Sequence, residues 1–116
     1  MVDICGRIGG PFDAPGSKLV FSEPIASERF YRNYWEKAIK ETKVKVFVEY
    51  SEFGKEKLDT VMEELARLDS WAEKNVRKYN YFGDNDEEYI REHIARLMEA
   101  IPEVFEEYPD IILDIA

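Results

Sequence analysis

Two chemically versatile residue types are nearly absent from this sequence: Cys5 and His93 are the only cysteine and the only histidine in 116 residues. A single cysteine excludes an internal disulfide and fits a reducing cytoplasm, and two such residues are too few to close a zinc site. Long apolar runs are missing too. None approaches the ~18–20 residues of a membrane span, and the opening Met1-Val2-Asp3-Ile4-Cys5 has neither the basic nor the apolar region of a secretion signal. Positive charge is scarce in one region only. From Asp84 to Ala116 eleven acids face two bases, Arg91 and Arg96, while the preceding 83 residues carry fourteen of each. The whole net charge of −9 therefore sits in the last third. A pI near 4.7 argues against nucleic acid or an anionic membrane as direct ligand and favours a basic protein partner.

Apolar residues make up 45 % of the chain, enough for a packed core, so a single domain over 1–116 is expected, as a monomer or weak homodimer. Val2 to Ile8 and Lys18 to Ser22 read as strands. Gly6, Gly9, Gly10, Pro11, Pro15 and Gly16 make the region around and between them turn-rich. That glycine cluster lacks the Lys-Ser/Thr of a P-loop and the spacing of a dinucleotide fingerprint. Ser27 is expected to cap a helix to about Thr42, with Phe30, Tyr31, Tyr34, Trp35, Ala38 and Ile39 on its buried stripe. These aromatics are read as core rather than as a base-stacking platform, because the surrounding charge is not basic.

Lys43 to Tyr50 alternates most clearly, with Val44, Val46, Val48 and Tyr50 on one face, and predicts a third strand. A long helix follows from about Lys55 to Lys78, with Leu58, Val61, Met62, Leu65, Leu68, Ala72 and Val76 inward. Its outer face mixes signs: Glu56, Glu63, Glu64, Arg67, Glu73, Lys74 and Arg77. The acidic third opens with Asp84-Asn85-Asp86-Glu87-Glu88. Asn85 and Glu88 form a capping-box pattern for a helix to about Tyr108, and Asp86, Glu87 and Glu88 suit its positive end. Ile90, Ile94, Leu97, Met98, Ile101, Val104, Phe105 and Tyr108 form its inner stripe. Glu88, Glu92, Glu99, Glu103 and Glu106 fall opposite, within roughly 60° and along ~27 Å. Pro102 predicts a kink or a break. Asp110 to Ile115 reads as a buried strand pairing with Val44–Tyr50. The order β-β-α-β-α-α-β predicts an α+β domain, its three- or four-stranded sheet covered on one face by about three helices.

No catalytic constellation stands out. Cys5 and His93 lie on different elements, so a thiol–imidazole nucleophile lacks support. Asp84, Asp86 and Glu88 resemble the start of a calcium loop, but Tyr89 holds the position that needs glycine and the terminal Glu is missing. No motif for a cofactor or metal is present. The candidate surface is instead the acidic face with the aromatic turn before it: Tyr79, Tyr81 and Phe82 as interface anchors, and Asp84, Asp86, Glu87, Glu88, Glu92, Glu99, Glu103 and Glu106 as charges for a basic partner. A solvated helix face usually mixes signs, whereas Glu88/Glu92 and Glu99/Glu103 repel one another at a cost of ~0.2–0.5 kcal/mol per pair.

Three stretches resemble those of small acidic immunity proteins of bacterial polymorphic toxin systems, including contact-dependent inhibition. They are Val46-Phe47-Val48-Glu49-Tyr50-Ser51-Glu52-Phe53-Gly54, Leu68-Asp69-Ser70-Trp71-Ala72-Glu73-Lys74-Asn75 and Phe105-Glu106-Glu107-Tyr108-Pro109-Asp110-Ile111-Ile112-Leu113. The resemblance spans about the last two-thirds of the chain and implies a cytoplasmic protein that binds and blocks one cognate toxin, often a nuclease with a basic cleft. The same acidic face fits two rivals. One is a nucleic-acid mimic that blocks a DNA-binding enzyme. The other is a small enzyme, which would need a narrow pocket around Cys5 or His93.

Overall fold

The computed structural model describes residues 1–10 and 14–116. The loop expected between the first two strands falls partly outside them, at Pro11. The fold is α+β, a four-stranded antiparallel sheet in the order β2-β1-β4-β3 with three helices against one face. β1 (Val2–Ile8) and β2 (Lys18–Ala26) pair along their length, β2 running four residues further than its apolar run suggests. β1 is central because its inward side is wholly buried: Val2 and Ile4, then Gly6. A Cβ at Gly6 would stand 2.6 Å from Leu113 Cδ2 and 2.7 Å from Ile111 Cδ1, so glycine is what lets β4 (Ile112–Ile115) lie alongside.

Ser27 caps α1, residues 28–42, by accepting the Phe30 amide at 3.4 Å. Within it Tyr31–Trp35 form a π turn. The wider turn buries Tyr31, Tyr34, Trp35 and Ala38 together, close to the predicted stripe. A 3-10 turn at Lys55–Lys57 leads into α2 (Leu58–Tyr79), which ends on Asn80 in the left-handed region at φ 42°. α3 (Asp86–Glu107) buries Ile90, Ile94, Leu97, Ile101, Val104 and Phe105, and Phe105 meets the inward Phe53 of β3 (Glu52–Phe53) at 6.1 Å between ring centres. No helix among the described residues is long and apolar enough to cross a membrane.

Several local expectations are corrected. Lys43–Tyr50 is not a strand. Its burial falls on Val44 and Phe47, three residues apart, while Tyr50 is 82 % exposed at φ 69°. The reason lies in α2. Glu64, expected on the outer face, is buried, and its carboxylate accepts the amides of Lys45 (3.1 Å), Val46 (3.2 Å) and Phe47 (2.8 Å). Three consecutive amides bent around one carboxylate cannot also feed a β ladder. β3 is consequently a two-residue strand further on, and β4 pairs with β1 and β3, meeting the Val44–Tyr50 segment only at its end, where the Tyr50 amide donates to the Ile115 carbonyl. Asn85 makes no side-chain cap, so the capping box with Glu88 does not form. Pro102 does not break α3, which runs through it to Glu107.

Candidate functional site

The turn between α2 and α3 is tied down from below. The buried Tyr34 hydroxyl accepts the Tyr81 amide at 2.8 Å and donates to the Asp86 carboxylate, which also accepts the Phe82 amide at 3.0 Å. Burial first, then the bond to Asp86, pushes the Tyr34 phenol far above its ordinary range. Asp86 is therefore an internal support, only 4 % exposed, and not one of the surface charges expected of it.

Held this way, the turn presents Tyr79, Tyr81 and Phe82 at 39 %, 46 % and 37 % exposure, so all three expected anchors reach solvent. Their rings are also partly used within the molecule. Tyr79 and Tyr81 stack at 5.2 Å, Phe82 packs on Phe30 at 5.0 Å, and two cations of α1 sit on the cluster. Lys37 Nζ lies 4.0 Å from the Tyr79 ring centre and 3.0 Å from the Tyr81 hydroxyl, and the Arg29 guanidinium lies 4.4 Å from the Phe82 ring centre. The hydrogen bond to Tyr81 raises the Lys37 pKa, which keeps this ammonium charged.

Behind this corner the acids separate into two groups. Glu87 lies 2.9 Å from Arg77 and 3.4 Å from Arg91, with its side chain 13 % exposed, so it too belongs to the scaffold. Arg91 also grips Asp69 through two nitrogens (3.0 and 3.2 Å) and Glu73 at 3.1 Å, which clamps α3 to α2. Asp84, Glu88, Glu92, Glu99, Glu103 and Glu106 are all exposed. Among the described residues none of these six forms an ion pair; Asp84 only accepts from the Asn80 amide group at 3.5 Å.

The two candidates for covalent chemistry stay apart. Cys5 alternates with the inward Ile4 and Gly6, so it faces away from the helices, where its thiol lies 3.7 Å from the Ser22 hydroxyl. His93 sits on α3 with Nδ1 2.8 Å from the Tyr89 carbonyl oxygen and its ring against Tyr89. Among the described residues no three His, Cys, Asp or Glu side chains converge as a metal ion would require.

The sequence did not single out three residues that matter here. Glu64 is one, although its place three residues after Val61 and four before Leu68 puts it on the inner stripe. Arg32 is another: it holds Glu49 through two nitrogens at 2.6 and 2.8 Å, with Glu36 at 2.7 Å, and so fastens the 43–51 loop to α1. The third is Tyr50, thrust into solvent from that fastened loop. Compared with protein-family models, with curated proteins and with solved structures, the chain matches none significantly.

Proposed function

We propose that this protein is an immunity-type inhibitor that binds and neutralises a cognate bacterial toxin with a basic surface, in the cytoplasm and without catalysis of its own. The observation that carries the reading is the unneutralised face of α3. On α2 three of the four outer acids, Glu63, Asp69 and Glu73 but not Asp59, lie against an arginine, at 2.8, 3.0 and 3.1 Å. On α3 the row from Glu88 to Glu106 has no such partner among the described residues. Such a row repels itself, and a basic partner removes that repulsion on binding. In this reading the ridge accelerates encounter and selects the partner, while Tyr79, Tyr81 and Phe82 at its N-terminal end slow release.

The test is growth rescue. The toxic C-terminal domain encoded immediately upstream in the native locus is expressed with and without this protein, and the mixture is run on gel filtration at low and high salt. Rescue with a stoichiometric, salt-sensitive complex supports the reading; a toxic neighbour that is neither bound nor neutralised removes it. Failure there, combined with competition against DNA for several unrelated DNA-binding enzymes, would favour the nucleic-acid mimic.

A further inference from the structure

The helices cover one face of the sheet, and among the described residues no helix covers the other. β1 turns Cys5 and Arg7 to that side, β4 turns Ile112 and Asp114, and β3 turns Glu52. Between this face and the segment after α3 lies a groove of about 1000 Å3. Two large apolar side chains are exposed in it, on either side of Arg7: Ile112 is 49 % and Leu19 44 % accessible. Its charge is unbalanced, with Glu52, Glu107, Asp110 and Asp114 lining it beside one arginine, Arg7.

The arrangement within the groove is more specific than the acid count. Glu52 and Asp114 are direct cross-strand partners, and both are exposed. Their Cβ atoms are thus about 5 Å apart. Like charges placed opposite one another destabilise a sheet, and neither has an ion-pair partner among the described residues. On the same strand and the same face, Ile112 lies two residues from Asp114, ~7 Å away. At the far wall stand two further acids, Glu107 and Asp110, both exposed.

We propose that this outer sheet face is a second docking surface, built for an extended segment of a partner protein that carries an apolar and a basic side chain two positions apart, on the same face. An apolar side chain would seat on Ile112, and a lysine or arginine two positions along would reach the Glu52–Asp114 pair and relieve its repulsion. The surface is distinct from the ridge and the aromatic turn. It stands or falls independently of the inhibitor reading.

The experiment is a titration of the 15N-labelled full chain with the capped peptide Lys-Ser-Val-Ser-Lys, whose valine and lysines share one face of an extended chain, followed by amide shifts at low salt. Shifts centred on residues 5, 7, 19, 52, 112 and 114 are expected. Glu52→Gln with Asp114→Asn should weaken binding by about fivefold, as should Ile112→Ser on its own, since each removes one recognition element of roughly ion-pair weight. All three positions are exposed, so these variants keep the fold, which the rest of the spectrum verifies. Shifts confined to residues 88–106, equal binding by the variants, or equal binding of Glu-Ser-Val-Ser-Glu would each overturn the proposal.

Discussion

The Glu64 carboxylate accepts the Phe47 amide at 2.8 Å, across seventeen positions of sequence. With the Lys45 and Val46 amides it forms a cradle of three backbone donors around one buried anion. Removing the anion strands all three donors. Glu64→Ala should therefore destabilise the protein by about 2–4 kcal/mol. Urea unfolding with an unchanged slope measures this directly; a loss below ~0.5 kcal/mol would show that the loop holds itself in place.

Tyr34 and Asp86 make the corresponding prediction for the aromatic turn. Tyr34→Phe deprives the Tyr81 amide of its acceptor and Asp86 of a donor, and should cost about 1–3 kcal/mol. Glu92→Gln, on the open ridge, should stay within ~0.5 kcal/mol of the parent. Equal thermal shifts for the two variants would contradict the division of acids into scaffold and surface.

The pH dependence follows from three shifted groups. Burial pushes the Tyr31 phenol up to about 12, and Tyr34 is raised as well, while both would ionise near 10 in the unfolded chain. A raised folded-state value means that the folded chain keeps protons the unfolded one loses. The contribution is then complete below pH 10 and lost as pH climbs towards 12. Glu49 behaves in the opposite way. Its bond to Arg32 lowers its pKa from 4.5, so its contribution is complete above that value and lost as pH falls through the lowered one. Melting temperatures across both limbs test the signs: Tyr31→Phe should flatten the alkaline limb, and Glu49→Gln the acid one.

Tyr50 is a bulky residue at φ 69°, in a backbone region that favours glycine and asparagine. Its amide donates to the Ile115 carbonyl at 2.7 Å, which holds the strained geometry. Tyr50→Asn should keep that bond and relieve up to ~1 kcal/mol, raising the melting temperature by as much as about 4 °C. A fall in melting temperature would mean that the exposed ring packs more than its accessibility indicates.

For the ridge, reversing Glu88, Glu92 and Glu99 to lysine should slow association with the cognate toxin and flatten its salt dependence, with dissociation less affected. Stopped-flow mixing over a salt series separates the two rates. An unchanged association rate in the triple variant would sink the electrostatic part of the proposed function.

Much of this molecule was legible before any coordinates. The stripes of α1, α2 and α3 follow from spacing, because a helix buries every third or fourth residue whatever it packs against. The exposed row from Glu88 to Glu106 was read the same way. Lys43–Tyr50 misled because alternating valines report a local preference, and a buried carboxylate from α2 overrode it. The capping box failed for a related reason: Glu88 stays in solvent, and the turn is held by Asp86 and Tyr34, a residue fifty-two positions away.

What the sequence determined by itself is what depends on neighbours along the chain: the order of elements, their amphipathic faces and the gathering of negative charge in the last third. Tertiary structure decided which carboxylates are structural. Glu64, Asp86 and Glu87 left the surface because donors from distant segments converge on them, amides of residues 45–47 for the first, Tyr34 and the Phe82 amide for the second, Arg77 and Arg91 for the third. A buried charge is tolerable only where such partners meet it, and that meeting is a property of the fold in space.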